Sequence, residues 1–260
     1  MNIHSLQIRF SELLMQFFRY MSSFGFDLMK QIIVFAGVPT FISSFLLTFP
    51  ARPLDTSTII VEAGFSWDSH LVPVAGILLF SILSIILTLQ ISTIHSQYCL
   101  KYEEIPSREL ITQYLLETMP RSFGACMLLC IAISIGLILC ILPGIYIMSA
   151  GVLLFPLIHD TDISIFSGLQ LSVTYIRHHA LKPLAFMLLI SFITSIPSTA
   201  LGFLTEIPIP VLDSFMPRII FMLNALISIL TLGMISVFGV ILHKELLKGT
   251  DFAIPIAPIK

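Results

Sequence analysis

Six apolar runs punctuate the chain, at about 31–49, 72–94, 122–142, 145–158, 184–204 and 219–242, and no run has Asp, Glu, Lys or Arg in its interior. A helix rising 1.5 Å per residue needs about 20 apolar residues to cross roughly 30 Å of hydrocarbon. Most of the runs have that length. One charge at the centre of an inserting helix costs about 2.5–3.5 kcal/mol, so the absence of charge within them is informative. The pattern predicts an all-α, polytopic membrane helix bundle of six spans, a single integral domain over 1–260. The fourth run is too short to span by itself. It follows Leu142-Pro143-Gly144, a helix-breaking signal. Two readings stay open there: a tight hairpin at the outer surface with the fourth helix extending to about Asp160, or a broken helix at membrane depth.

Between the runs the pattern changes from continuous to amphipathic. Over 1–30, Ser5, Arg9, Glu12, Gln16, Arg19 and Ser23 form one polar stripe. Leu6, Phe10, Leu13, Leu14, Phe17 and Met21 fill the opposite face. Such a helix is expected to lie in the membrane interface with its apolar face in lipid. Ser107, after Pro106, is a candidate N-cap for a second such segment, in which Leu110, Ile111, Tyr114, Leu115 and Met119 alternate with Glu109, Thr112, Gln113 and Glu117. In a third, Ile165, Phe166, Leu169, Val173 and Ile176 face away from Gln170, Thr174, Arg177 and His178. Each segment meets a basic residue just before a span: Lys30, Arg121 and Lys182. The chain therefore reads as three amphipathic interfacial helices, each followed by two spans. Because each unit enters from the same side, the repeats would be parallel.

Composition agrees with the pattern. Hydrophobic residues make up 57% of the 260 positions and charged residues 11%, with mean hydropathy +1.00. A soluble domain carries about 25% charged residues. The net charge of −2 gives no basic field for nucleic acid, so no nucleic-acid partner is expected. Arg9, Arg19, Lys30, Lys101, Arg108, Arg121, Arg177, Lys182, Lys244, Lys248 and Lys260 fall on one side of the predicted spans, and only Arg52 and Arg218 on the other. The positive-inside rule then places both termini in the cytoplasm. Residues 1–30 carry scattered charges and lack the compact apolar core of a signal peptide, so they are expected to remain.

Candidate chemistry is sparse. His159-Asp160-Thr161-Asp162 closes the fourth run and Arg177-His178-His179 lies one amphipathic segment later. Together they could offer ligands to a cation, although the spacing matches no metal motif. Arg177, His178, His179 and Lys182 form a basic patch suited to anionic lipid headgroups. Asn224, inside the sixth run, is expected to bond across to a neighbouring helix. Pro39, Pro156 and Pro197 suggest kinks. Gly124, Ala125, Gly136, Ala150 and Gly151 would allow close helix packing, within the chain or between chains in a homo-oligomer. Cys126 and Cys130, four apart, read as small packing residues. Phosphate-loop, nucleophile-elbow and zincin motifs are missing. No catalytic residue, cofactor or metal is assigned.

Leu142-Pro143-Gly144-Ile145-Tyr146, then Phe155-Pro156-Leu157, then Ser164, Leu169 and Ser172 carry a resemblance. The chain resembles the six-span membrane domain attached to some bacterial glycerophosphodiester phosphodiesterases, and is similar to a stand-alone family of uncharacterised bacterial inner-membrane proteins. The likeness covers most of the chain, best from about Pro106 to Lys248. It implies the architecture and a bacterial inner-membrane location, and not the phosphodiesterase, whose catalytic barrel is a separate soluble domain. The expected function is that of a non-enzymatic inner-membrane protein whose partners are membrane lipids, handling phospholipid or assisting envelope assembly with a protein partner. A small-solute transporter and a membrane-embedded lipid-modifying enzyme are the alternatives.

Overall fold

The computed structural model describes residues 9–48, 67–139, 141–161, 163–177, 181–204 and 216–248. Among them there is no strand. The helices are α1 (Phe10–Phe35), α2 (Gly37–Thr48), α3 (Trp67–Tyr102), α4 (Arg108–Leu139), α5 (Ile141–Asp160), α6 (Ile165–Ile176), α7 (Leu181–Leu204) and α8 (Met216–Lys248). Five are long and apolar enough to cross a membrane, or six if α1 and α2, which meet at a bend of 49°, count as one span. The architecture is an all-α bundle compatible with a multi-pass membrane protein, where helices satisfy their own backbone in a solvent that offers no partners.

Helix starts follow local chemistry. Ser107 accepts from the Leu110 N–H at 3.3 Å, and Ser164 from the Ser167 N–H at 3.2 Å, so both act as N-caps. The bend at Ala36 has a cause in Gly37 and Pro39, since Pro39 lacks the N–H that would bond the Phe35 carbonyl. Pro143 falls in the first turn of α5, where its missing N–H has no partner to lose.

α4 and α5 form an antiparallel hairpin. A Cβ on Gly136 would lie 2.9 Å from Gly144 Cα, and one on Gly151 2.7 Å from Leu129 Cδ2, so successive levels pair in opposite directions. This is the hairpin reading of the Leu142-Pro143-Gly144 break, with α5 reaching Asp160 as that reading required. The small residues expected to permit close packing do so within the chain.

The centre of the bundle is three parallel helices, α3, α5 and α8. Thr93 Oγ1 meets Ser236 Oγ at 3.0 Å, and Lys244 Nζ donates to the Leu100 carbonyl at 2.9 Å, so α3 and α8 ascend together. Gln97 Nε2 donates to the Pro156 carbonyl at 3.2 Å, and a Cβ on Gly239 would lie 2.9 Å from Val152 Cγ1, which ties α5 to both. α2 runs antiparallel beside α3, with Ser43 Oγ 2.6 Å from Ser81 Oγ and Ser84 Oγ bonding the Ala36 carbonyl at 3.2 Å. α7 packs on α8, where Phe186 stacks on Phe238 at 3.9 Å.

Three expectations need correction. The amphipathic segment over 1–30 is not a separate helix: α1 continues without a break through Lys30 to Phe35, and α4 likewise joins its amphipathic start to its span through Pro120. Residues 1–8 lie outside the described residues. Nor is the apolar face of α1 left to lipid. Leu13, Phe17 and Tyr20 are buried in the protein core, Phe17 packs edge-on to Phe186 at 4.8 Å, and Met15, Phe18 and Phe26 are among the exposed apolar residues. α1 also crosses α3 steeply. Tyr20 touches His95, while Ile32 converges with Thr88 and Ser92 beside Gly233. That is about 18 Å along α1 against only about 5–10 Å along α3. The start of α1 thus lies across the ends of the central helices, at the end of the bundle marked by Lys101, Arg121 and Lys244, hereafter the basic end. In α6, Phe166 is exposed and Gly168, Ser172 and Ile176 are buried, so the face packed on α5 is rotated from the predicted one.

Packing is uneven along the axis. Every residue is buried over 90–96 of α3, 149–158 of α5 and 236–243 of α8. Towards the far end, 75–83 of α3, 145–148 of α5 and 221–228 of α8 contain none that is.

Candidate functional site at the basic end

Each central helix carries a histidine near its basic end: Thr93-Ile94-His95 on α3, Leu157-Ile158-His159 on α5 and Ile241-Leu242-His243 on α8. In every case the histidine is the first residue beyond the predicted end of an apolar run. His95 and His243 were missed for that reason, and aligning the three runs on their histidines is the signal that would have found them.

The partners of these rings define their protonation. His95 is fully buried between α1 and α3, with Tyr20 Oη 2.6 Å from its Nδ1 and Cys99 Sγ at 3.5 Å. His159 Nδ1 lies 2.9 Å from the Phe155 carbonyl. A carbonyl only accepts, so Nδ1 carries the proton and, in the neutral ring, Nε2 is an acceptor. His243 Nε2 lies 3.2 Å from Asp160 Oδ2. A carboxylate likewise only accepts, so Nε2 carries a proton and, in the neutral ring, Nδ1 is an acceptor. Both acceptor nitrogens, His159 Nε2 and His243 Nδ1, are buried and have no hydrogen-bond partner.

Cationic side chains cap the helix ends around them. Helix C-termini carry about −0.5 of an elementary charge each, and three converge here. Lys244 meets the last turn of α3 at the Leu100 carbonyl. Arg121 meets the end of α5, its Nη2 bonding the Thr161 carbonyl at 2.9 Å and also the Ile163 carbonyl. Gln16 of α1 donates to Glu245 of α8 at 3.0 Å, closing the layer.

A second polar feature runs away from this layer. Ser84, Thr88, Ser92 and Ser96 recur every fourth residue along α3, all buried. Thr88 bonds the Ser84 carbonyl at 2.8 Å, and Ser236 bonds the Leu89 carbonyl at 3.3 Å. With Ser81 and Ser43 the seam covers about 22 Å of the axis.

The predicted headgroup patch is only partly placed. Arg177 is exposed beyond the end of α6, Lys182 is half-buried in the first turn of α7, and His178 and His179 lie outside the described residues. Of the cation site suggested by His159, Asp160, Asp162 and the Arg177 segment, Asp162, His178 and His179 lie outside the described residues. Among the described residues, no group of three or more His, Cys, Asp or Glu suited to a metal exists. Cys140 also lies outside the described residues. Asn224 departs from expectation too, since its side-chain oxygen is buried without a partner. Cys99 and Cys126 are buried and Cys130 exposed, all three as free thiols. No protein-family model, curated protein or solved structure matches the chain.

Proposed function

We propose that the chain is a non-enzymatic multi-pass protein of a bacterial inner membrane that handles phospholipid, with its basic end and both termini facing the cytoplasm. The observation that carries this reading is the uneven packing of the three central helices. They are closed on all sides near the basic end, and at the far end they turn half-exposed apolar side chains outwards. A surface of that kind suits acyl chains. It is flanked by α4 and α7, whose far halves are apolar and largely exposed, Ile138 at 84% and Phe192 at 70%. The lopsided distribution of Lys and Arg supports the orientation. The resemblance to the phosphodiesterase-associated membrane domain supports the lipid context, and the parallel α3, α5 and α8 with their matching histidines support three parallel units, α1–α3, α4–α5 and α6–α8.

The test is native mass spectrometry of the protein extracted with its own lipid, together with photocrosslinking by a phospholipid bearing a diazirine in its acyl chain. Phospholipid retained through mild delipidation, with crosslinks concentrated on the far halves of α5, α7 and α8, supports the reading. A chain stripped bare, or one that retains only a protein partner, refutes it in favour of an assembly role.

The buried hydroxyl seam favours a second reading, a small-solute carrier. Apart from Ser92, whose hydroxyl is buried without a partner, its hydroxyls bond one another and helix carbonyls, which is also how polar side chains hold membrane helices together. Uptake of a polar solute into proteoliposomes, lost in Ser84→Val, would establish the carrier.

A further inference from the structure

We propose that the far half of α7 is a pairing surface for α7 of a second copy of this chain, so that two copies join side by side in the membrane. This pairing is independent of the phospholipid reading.

The two halves of α7 differ. The near half is held by the bundle: Pro183, Phe186 and Ile190 are buried, and Phe186 stacks on Phe238 of α8. From Ser191 to Phe203 no residue is buried. At about 100° of turn per residue, Pro183, Phe186 and Ile190 mark one face of the helix, and Phe192, Ile196 and Phe203 mark a second. Ser191, Ser195, Ser198 and Gly202 mark a third. A Cβ added at Gly202 would meet nothing within 4 Å, so that face is open. Ser195 bonds back to the Phe192 carbonyl at 2.7 Å. The hydroxyls of Ser191, Ser198 and the adjoining Thr199 have no hydrogen-bond partner among the described residues.

Depth in the membrane makes those open hydroxyls costly. α7 is long and apolar enough to span, and Lys182 marks its basic end. Ser191 to Thr199 lie about 14–26 Å beyond Lys182, within a hydrocarbon layer of roughly 30 Å. Water satisfies an exposed hydroxyl and acyl chains cannot, so a polar group facing lipid at this depth carries a cost that a helix partner removes. Headgroups sit at the interface and do not reach it. The exposed side of α4 shows what contact with lipid selects in this chain: Phe123, Met127, Ile131, Ile135 and Ile138. Hydroxyls join helices elsewhere in the bundle, where Ser43 meets Ser81 at 2.6 Å across α2 and α3, and Thr93 meets Ser236 at 3.0 Å across α3 and α8. A second α7 is the occupant that matches. Each hydroxyl both donates and accepts, so the stripe is complementary to its own copy. Two chains inserted with the same orientation bring their stripes together in parallel, about a two-fold axis along the membrane normal. Serine and glycine leave little side chain to hold the backbones apart.

The experiment uses the full chain reconstituted in liposomes. Cys130 is exposed, so every chain carries Cys130→Ala, and that parent sets the background for oxidative crosslinking. Ser198→Cys is expected to give a covalent dimer, and Phe192→Cys, on the apolar face, none above background. The noncovalent pair is read separately, as the fraction of two-step photobleaching events when labelled chain is diluted with lipid. Ser191→Leu combined with Ser198→Leu puts bulk where the fold leaves open space. It is expected to weaken the pair by about tenfold or more, with the thermal stability of the single chain unchanged; tenfold is equivalent to about 1.4 kcal/mol. A parent chain that is monomeric at every dilution overturns the proposal. A dimer that crosslinks through Phe192→Cys and not through Ser198→Cys overturns it too, as does a folded double variant that pairs like its parent. If the double variant does not fold, the crosslinking pattern alone decides. A Ser198→Cys adduct with a different protein in native membranes, while the reconstituted parent stays monomeric, assigns the surface to that protein and overturns the second copy.

Discussion

Gly239→Ala tests the closest approach in the bundle. Gly239 lies on α8 where that helix crosses α5. A Cβ there would sit inside van der Waals contact with the Val152 carbonyl oxygen, 2.9 Å from Val152 Cγ1 and 3.1 Å from the Val152 carbonyl carbon. The Val152 carbonyl would normally accept from residue 156, but that residue is Pro156, which has no N–H. The oxygen is thus open, and the bare backbone of Gly239 fits against it. An ordinary contact between an aliphatic carbon and a carbonyl oxygen is about 3.3–3.6 Å, so one methyl forces two backbones apart. Overpacking of this kind costs about 1–3 kcal/mol. Separating the helices also strains the Asp160–His243 bond, worth about 1.5–3 kcal/mol as a charged hydrogen bond. Against this stands the gain in helix propensity of about 1 kcal/mol for Gly to Ala. The net loss is about 2–4 kcal/mol, which at about 2–4 °C per kcal/mol lowers the midpoint by roughly 10 °C. Size-exclusion chromatography after stepwise heating reads this directly. Gly202→Ala is the control, since its Cβ would meet nothing within 4 Å. If Gly239→Ala is as stable as the wild type, α5 and α8 do not approach as described, and the closed inner half loses its basis.

Other consequences are open to the same assay. Tyr20→Phe removes the partner of the His95 ring and is expected to cost about 1–3 kcal/mol, a lowered midpoint that Tyr20→Ser does not improve. Arg121→Gln withdraws the cation at the end of α5 and is expected to lower the midpoint by several degrees, with Arg121→Lys intermediate because an ammonium cannot reproduce the planar fork. Ser84→Ala should cost only about 0.6 kcal/mol, the average for a polar contact between membrane helices, and a much larger loss would mean the seam does more than join α2 to α3. A green fluorescent protein fused after Lys260 should fluoresce in cells, and an alkaline phosphatase in the same place should be inactive. The reverse pattern would invert the orientation.

Hydropathy located the long helices well because lipid sets one rule for every side chain that faces it. It failed where protein replaced lipid as the neighbour. α3 runs eight residues beyond Ile94, through His95, Ser96 and Cys99, because α1 lies across it and supplies partners such as Tyr20. His159 and His243 lie just beyond their predicted runs too, so His159 and Asp160 were legible only as residues closing a run, and their pairing with His243 was not. The amphipathic stripe of α1 was legible, with Glu12 and Arg19 exposed and Leu13 and Phe17 buried. Whether its apolar face met lipid or protein was not, since both solvents reward the same residues. The Leu142-Pro143-Gly144 break was legible as a break, and only the matching of Gly136 with Gly144 shows it to be a hairpin turn.

α8 touches α1, α2, α3, α5 and α7, yet of the described helices it is the last to be made. From Tyr102 to Met216 the ribosome needs about 6–20 s at roughly 5–20 residues per second. Throughout that interval Thr93 and the Leu100 carbonyl lack the partners that Ser236 and Lys244 will bring, and Gln97 waits for Pro156 until α5 is made. The nascent protein is therefore a set of inserted hairpins waiting for a keystone. A chain truncated before Met216 should insert normally and still be recognised by membrane proteases as unfinished.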